Sequence, residues 1–107
     1  MESSDPAALT GAQLDTATSL MLEAWESLRF PLPPSVLVSE ELILELYHVF
    51  TLSPDSNRVD QVTRTLYGYL MVLGVKRMGT KQDTRAKAWC KSTGRIMCSF
   101  LLSVCDF

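Results

Sequence analysis

Wound as a helix at 100° per residue, the segment from Lys81 to Val104 divides into two faces, and this division constrains the fold more than any other feature of the chain. Lys81, Arg85, Lys87, Lys91 and Arg95 fall in one band covering less than half the circumference. Opposite them lie Ala86, Trp89, Cys90, Thr93, Ile96, Met97, Phe100, Leu101 and Val104. Such a helix must bury one side against other elements and turn an almost purely basic side outward. Thr80-Lys81-Gln82-Asp83 has the form of a capping box, with Asp in place of the preferred Glu or Gln. Gly94 is the candidate break. If the helix stops there, Ile96 to Cys105 becomes a separate short helix or a buried strand, since periodicity does not separate the two in so short a run.

The rest of the chain supplies apolar stripes at the same period. Leu14, Ala17, Met21, Ala24 or Trp25, and Leu28 recur at three- and four-residue steps, predicting a helix from near Gln13 to Phe30. Asp5-Pro6 is an earlier candidate start, weakened by Gly11. Pro31-Leu32-Pro33-Pro34 ends the helix, because each proline lacks a donor and restricts the residue before it. The same four residues match the PxxP pattern of groove-binding peptides, but the match is short and a connector between helices is the preferred explanation.

Ser39 followed by Glu40 and Glu41 combines an N-cap oxygen with negative charge at the positive end of the dipole, and predicts a helix to Leu52. Leu42, Leu44, Leu46, His48, Phe50 and Leu52 also alternate at period two, which is the pattern of a strand. Ser53-Pro54-Asp55-Ser56-Asn57 is a turn cluster. After it Val59, Val62, Leu66, Tyr69 or Leu70, and Leu73 mark another helix, and Gly74 is placed to stop it. Gly68 costs that helix about 1 kcal/mol relative to Ala, which implies another element packed closely against it.

With 107 residues, 47% of them hydrophobic, the chain is large enough for one core without disulfides or a metal. The expected fold is a single all-α domain over residues 1–107, a compact bundle or irregular array of four to five helices, with residues 1–12 as a candidate disordered end. Leu14, Met21, Trp25, Leu28, Leu46, Phe50, Val62, Leu66, Leu73, Trp89, Met97 and Phe100 are its expected core. A small α+β domain with strands at 42–52 and 96–105 is the alternative. The longest uncharged runs fall short of the roughly 20 residues of a membrane span, and the acidic start has no secretory pattern, so the expected setting is cytoplasmic or nuclear.

No catalytic constellation accompanies these elements. His48 is the sole histidine and lies in an apolar stretch, more than forty positions before the first cysteine. No nucleophile elbow, phosphate-binding loop or dinucleotide fingerprint is present, so the chain reads as a non-enzyme that needs no cofactor. Cys90, Cys98 and Cys105 are separated by seven and six residues, unlike the close pairs of structural zinc sites. They read as buried thiols, and the odd number leaves one available for an intermolecular disulfide. The apolar end Val104-Cys105-Asp106-Phe107 is a further candidate for a partner's groove.

Charge is more informative. The formal net charge of −2 conceals nine acids against one base, Arg29, before residue 56, a balance of −8, and nine bases against three acids afterwards, a balance of +6. Such segregation concerns partners and association rather than fold, unless the two halves neutralise each other within one molecule. The candidate partner- or anion-binding residues are Lys76, Arg77, Lys81, Arg85, Lys87, Lys91 and Arg95. The leading expectation is a protein–protein interaction, adaptor or self-assembly module, a homo-oligomer whose acidic and basic surfaces meet copies of itself or another protein. The alternative is a small nucleic-acid-binding structural protein, such as a viral matrix or nucleocapsid component, using the basic helix 81–95 on the phosphates of RNA. An anionic membrane surface would also fit a basic amphipathic helix. Trp89 borders the band and could stack on a base, but among Ala86, Thr93 and Met97 on one face it reads as a core anchor.

Overall fold

The computed structural model describes residues 9–26 and 38–105. Four α-helices fill these stretches: α1 (Gly11–Glu26), α2 (Glu40–Leu52), α3 (Arg58–Val72) and α4 (Thr80–Cys105). Short 3-10 turns at Asp55–Asn57 and Val75–Met78 precede α3 and α4. The all-α expectation holds. The expected contributions of Asp5-Pro6, Leu28, Phe30, Pro31 to Pro34, and Asp106-Phe107 lie outside the described residues.

Local chemistry sets the helix ends. Ser39 is extended and its hydroxyl accepts the Leu42 N–H at 3.2 Å, with Glu40 and Glu41 in the first turn, as the sequence predicts for α2. α1 begins at Gly11, two residues before the expected Gln13, because Thr10 and Gln13 form a reciprocal box. The Thr10 N–H donates to Gln13 Oε1 at 2.8 Å and the Gln13 N–H to Thr10 Oγ1 at 3.2 Å. Gly74 takes the left-handed conformation just beyond α3, with φ of 86°, and its N–H donates to the Met71 carbonyl at 3.0 Å.

One core joins all four helices. Ala17, Met21 and Trp25 of α1, Leu42, Ile43, Leu46 and Phe50 of α2, and Val62, Leu66 and Leu70 of α3 are buried. They meet Ala86, Trp89, Cys90, Met97, Cys98 and Leu101 of α4. Leu14, Leu73 and Phe100 pack against this cluster while partly exposed. The inner face of α2 runs Leu42, Leu46, Phe50, in helical steps. The strand alternative at 42–52 is therefore wrong: Leu44 and Leu52, which produced the alternation, are 40% and 72% exposed on the opposite side. The strand alternative at 96–105 fails as well, because α4 is unbroken from Thr80 to Cys105.

The two glycines within helices exchange the roles the sequence suggests. A Cβ at Gly68 would meet nothing within 4 Å, so no element crosses there. A Cβ at Gly94 would collide with Thr63 Oγ1 and lie 3.4 Å from the Thr63 Cα. Gly94 is therefore the place where α3 and α4 cross closely, rather than a break. Helix α4 keeps its hydrogen bonds through this glycine because burial against α3 offsets the residue's weak helix propensity.

Arg58 fastens the end of α2 to the start of α3. Its Nε donates to the Phe50 carbonyl at 3.2 Å, its guanidinium lies 4.4 Å from the centre of the Phe50 ring, and it pairs with Asp55 at 2.9 Å.

A basic seam between two helices

Helices α3 and α4 run antiparallel. Tyr67 lies opposite Asp83, Thr63 opposite Gly94, and Val59 near Cys98 and Leu102. Two helices touch closely only where they cross, and on either side of the Thr63–Gly94 crossing the seam opens into a shallow depression.

The first depression, about 320 Å³, is lined by Thr63, Arg64 and Tyr67 of α3 and by Lys87, Cys90 and Lys91 of α4. Its walls are largely apolar, formed by the thiol, the ring and the hydrocarbon stems of the cations. The second, about 380 Å³, lies between the other halves of the two helices and includes Phe50, Arg58, Val59, Arg95, Cys98 and Leu102. Each has an apolar floor beneath cationic groups.

A polar latch closes the upper end of the seam. The Tyr67 hydroxyl donates to Asp83 Oδ1 at 2.5 Å, and Lys87 Nζ lies 3.3 Å from the other carboxylate oxygen and 6.0 Å from the centre of the Tyr67 ring. The Tyr67 hydrogen bond holds the Asp83 carboxyl below its ordinary value against the opposing effect of burial, with further help from the bond and charge of Lys87. The same bond, together with burial and the Asp83 charge, raises Tyr67 to about 12. The capping box expected at Thr80 does not form: Asp83 turns toward α3, and its own N–H donates to the Gly79 carbonyl at 3.0 Å.

Every cation expected on the basic face is exposed. Lys81, Arg85, Lys87, Lys91 and Arg95 project from α4, while Lys76 and Arg77 lie on the 3-10 turn before it. They do not form one cluster. Lys87 and Lys91 border the first depression and Arg95 the second, whereas Lys81 and Arg85 line neither and fall on the other edge of the band. Arg58 and Arg64 of α3 join the seam. Sequence reasoning missed both, since their place beside α4 follows from the antiparallel packing and not from the spacing within α3.

Among the described residues the acids of α1 and α2 form no ion pair with this face. Among the described residues the ion pairs are local: Arg58 with Asp55, Arg64 with Asp60, and Lys87 with Asp83. Asp15, Glu23, Glu26, Glu40, Glu41 and Glu45 are exposed on α1 and α2. None of them pairs with a base of α4, so among the described residues the acids of α1 and α2 stay apart from the bases of α4.

Trp89 is an anchor. It is buried against Trp25 with ring centroids 5.4 Å apart and planes at 86°, so it offers no face to a base. Burial raises the Cys90 thiol to about 12, which keeps it a protonated, poor nucleophile at neutral pH. Burial also raises Cys98, opposed by the Arg58 charge. Among the described residues no group of three or more His, Cys, Asp and Glu side chains is placed to hold a metal ion, and no helix is long and apolar enough to cross a membrane. No protein-family model, curated protein or solved structure matches the chain.

Proposed function

We propose that this chain is a non-enzymatic interaction module that receives an acidic protein surface on the basic seam between α3 and α4. The observation that carries this reading is the unpaired state of Lys91 and Arg95 among the described residues, one at the rim of each depression with its apolar floor. Phosphate contacts draw on charge and hydrogen bonds, whereas a protein surface also brings apolar side chains that such floors can bury.

The first experiment is light scattering on a size-exclusion column at about 50 mM and about 500 mM salt, a change that shortens the Debye length about threefold. Association that weakens with salt, and that falls further in Lys91→Glu/Arg95→Glu, is the expected result. Association unchanged by both salt and charge reversal would sink the proposal.

Nucleic-acid binding is the second reading, supported by the five exposed cations along α4. It predicts a complex that forms only when a short RNA is added. The log–log salt dependence of that complex should lose about one unit of slope when one contacting lysine is neutralised.

A further inference from the structure

We infer that the occupant of the basic seam is the outer face of α2 from a second copy of this chain, an inference that rests on the interaction reading above. The outer face of α2 carries Glu41, Leu44, Glu45, His48 and Leu52, all exposed and all on the side opposite Leu42, Leu46 and Phe50. It is acidic and amphipathic. Nothing among the described residues covers its two leucines or pairs with its glutamates.

Spacing and charge both fit. Leu44 and Leu52 are eight residues apart, about 12 Å along a helix at 1.5 Å per residue. Cys90 and Cys98, one in the floor of each depression, are separated by the same eight residues and so by the same distance of about 12 Å. An α2 helix laid along the seam can therefore place one leucine on each side of the Thr63–Gly94 crossing. With Leu44 beside Cys90 and Leu52 beside Cys98, Glu45 comes level with Lys91 and Glu41 with Lys87, while Arg95 stands at the rim of the second depression near Leu52; Lys91 and Arg95 have no ion-pair partner within their own chain among the described residues. This is recognition of an amphipathic helix in a groove, with apolar anchors at helical spacing and charges along the rim. Donor and acceptor surfaces differ, so each copy gives one α2 and offers one seam, and the contact either closes reciprocally as a pair or continues as a chain.

Two variants of the full chain test this. Leu44→Ser/Leu52→Ser removes the anchors and keeps the seam, while Lys91→Glu/Arg95→Glu reverses the seam and keeps α2. All four positions are exposed, and circular dichroism confirms that each variant keeps its helix content. Light scattering against protein concentration at about 50 mM salt should show each variant associating at least about tenfold more weakly than the parent. An equimolar mixture of the two should form a one-to-one complex, because one contributes an intact seam and the other an intact α2.

A parent chain that stays monomeric at every concentration overturns the inference, as does a mixture that fails to pair. If the leucine variant associates as the parent does while the charge variant is weakened, the seam keeps its proposed function and α2 is not its occupant. A charge variant that associates like the parent overturns both.

Discussion

Helix α4 is held on its two flanks by opposite kinds of packing. Toward α1 it presents Trp89, whose ring meets the edge of Trp25, and two large aromatics fill the space between the helices. Toward α3 it presents Gly94, which lets the two backbones approach over Thr63. Bulk on one flank seals the seam. Smallness on the other brings the axes so close at one point that no side chain fills the divergence beyond it, and two depressions result. The close crossing and the two depressions are therefore one feature, since a larger residue at 94 would crowd Thr63 and reshape both.

The aromatic flank should carry the larger share of stability. Trp89→Ala is expected to cost about 3–5 kcal/mol in chemical denaturation, the range for removing a buried large aromatic. A loss under about 1 kcal/mol would mean that α1 is not held through this pair. Gly94→Ala tests the other flank with a single methyl group. Helix propensity favours alanine by about 1 kcal/mol and overpacking opposes it by about 1–3 kcal/mol, so a net loss of up to about 2 kcal/mol is expected. Thr63→Ala in the same chain should restore part of that loss, and strict additivity of the two changes would show that the residues do not touch.

Gly68→Ala is the control within α3. With nothing near the added methyl, it should stabilise by about 0.5–1 kcal/mol, the reverse of the change at Gly94. The smallest effect belongs to the polar latch and follows pH. Asp83 is held below its ordinary value of 3.8, so its contribution is complete above that pH and is lost as pH falls through the lower folded value. Tyr67 is raised, so its contribution is complete below 10.0 and is lost as pH rises through about 12. Tyr67→Phe should flatten both limbs of the stability–pH curve in thermal melts, and unchanged limbs would place the pH sensitivity elsewhere.

The helices themselves were legible because burial follows spacing within one segment. Ser39, Gly74 and the basic band on α4 needed only local information, and each lies where the sequence puts it. The Thr10–Gln13 box was equally local and could have been found from its T-x-x-Q spacing. Gly68 and Gly94 could not be told apart, because a glycine's purpose depends on which face another helix approaches. Val59 and Ile96 match the apolar stripes of their helices but remain 42% and 39% exposed, since a stripe specifies direction and the neighbour's extent decides coverage. Leu44 and Leu52 misled most. They gave α2 its strand-like alternation although they face away from the core.

The Trp25–Trp89 contact also fixes what the chain reports optically. These are its two tryptophans, both buried in a single T-shaped pair, so intrinsic indole emission comes from the α1–α4 contact. That emission should be blue-shifted and protected from iodide, and it should redden when α1 detaches even while α3 and α4 remain joined. A partner seated on the far flank of α4 would leave it nearly unchanged. Tyr67, which lines the first depression, is the better-placed chromophore for binding, so the two aromatic signals divide the molecule into a stability channel and a binding channel.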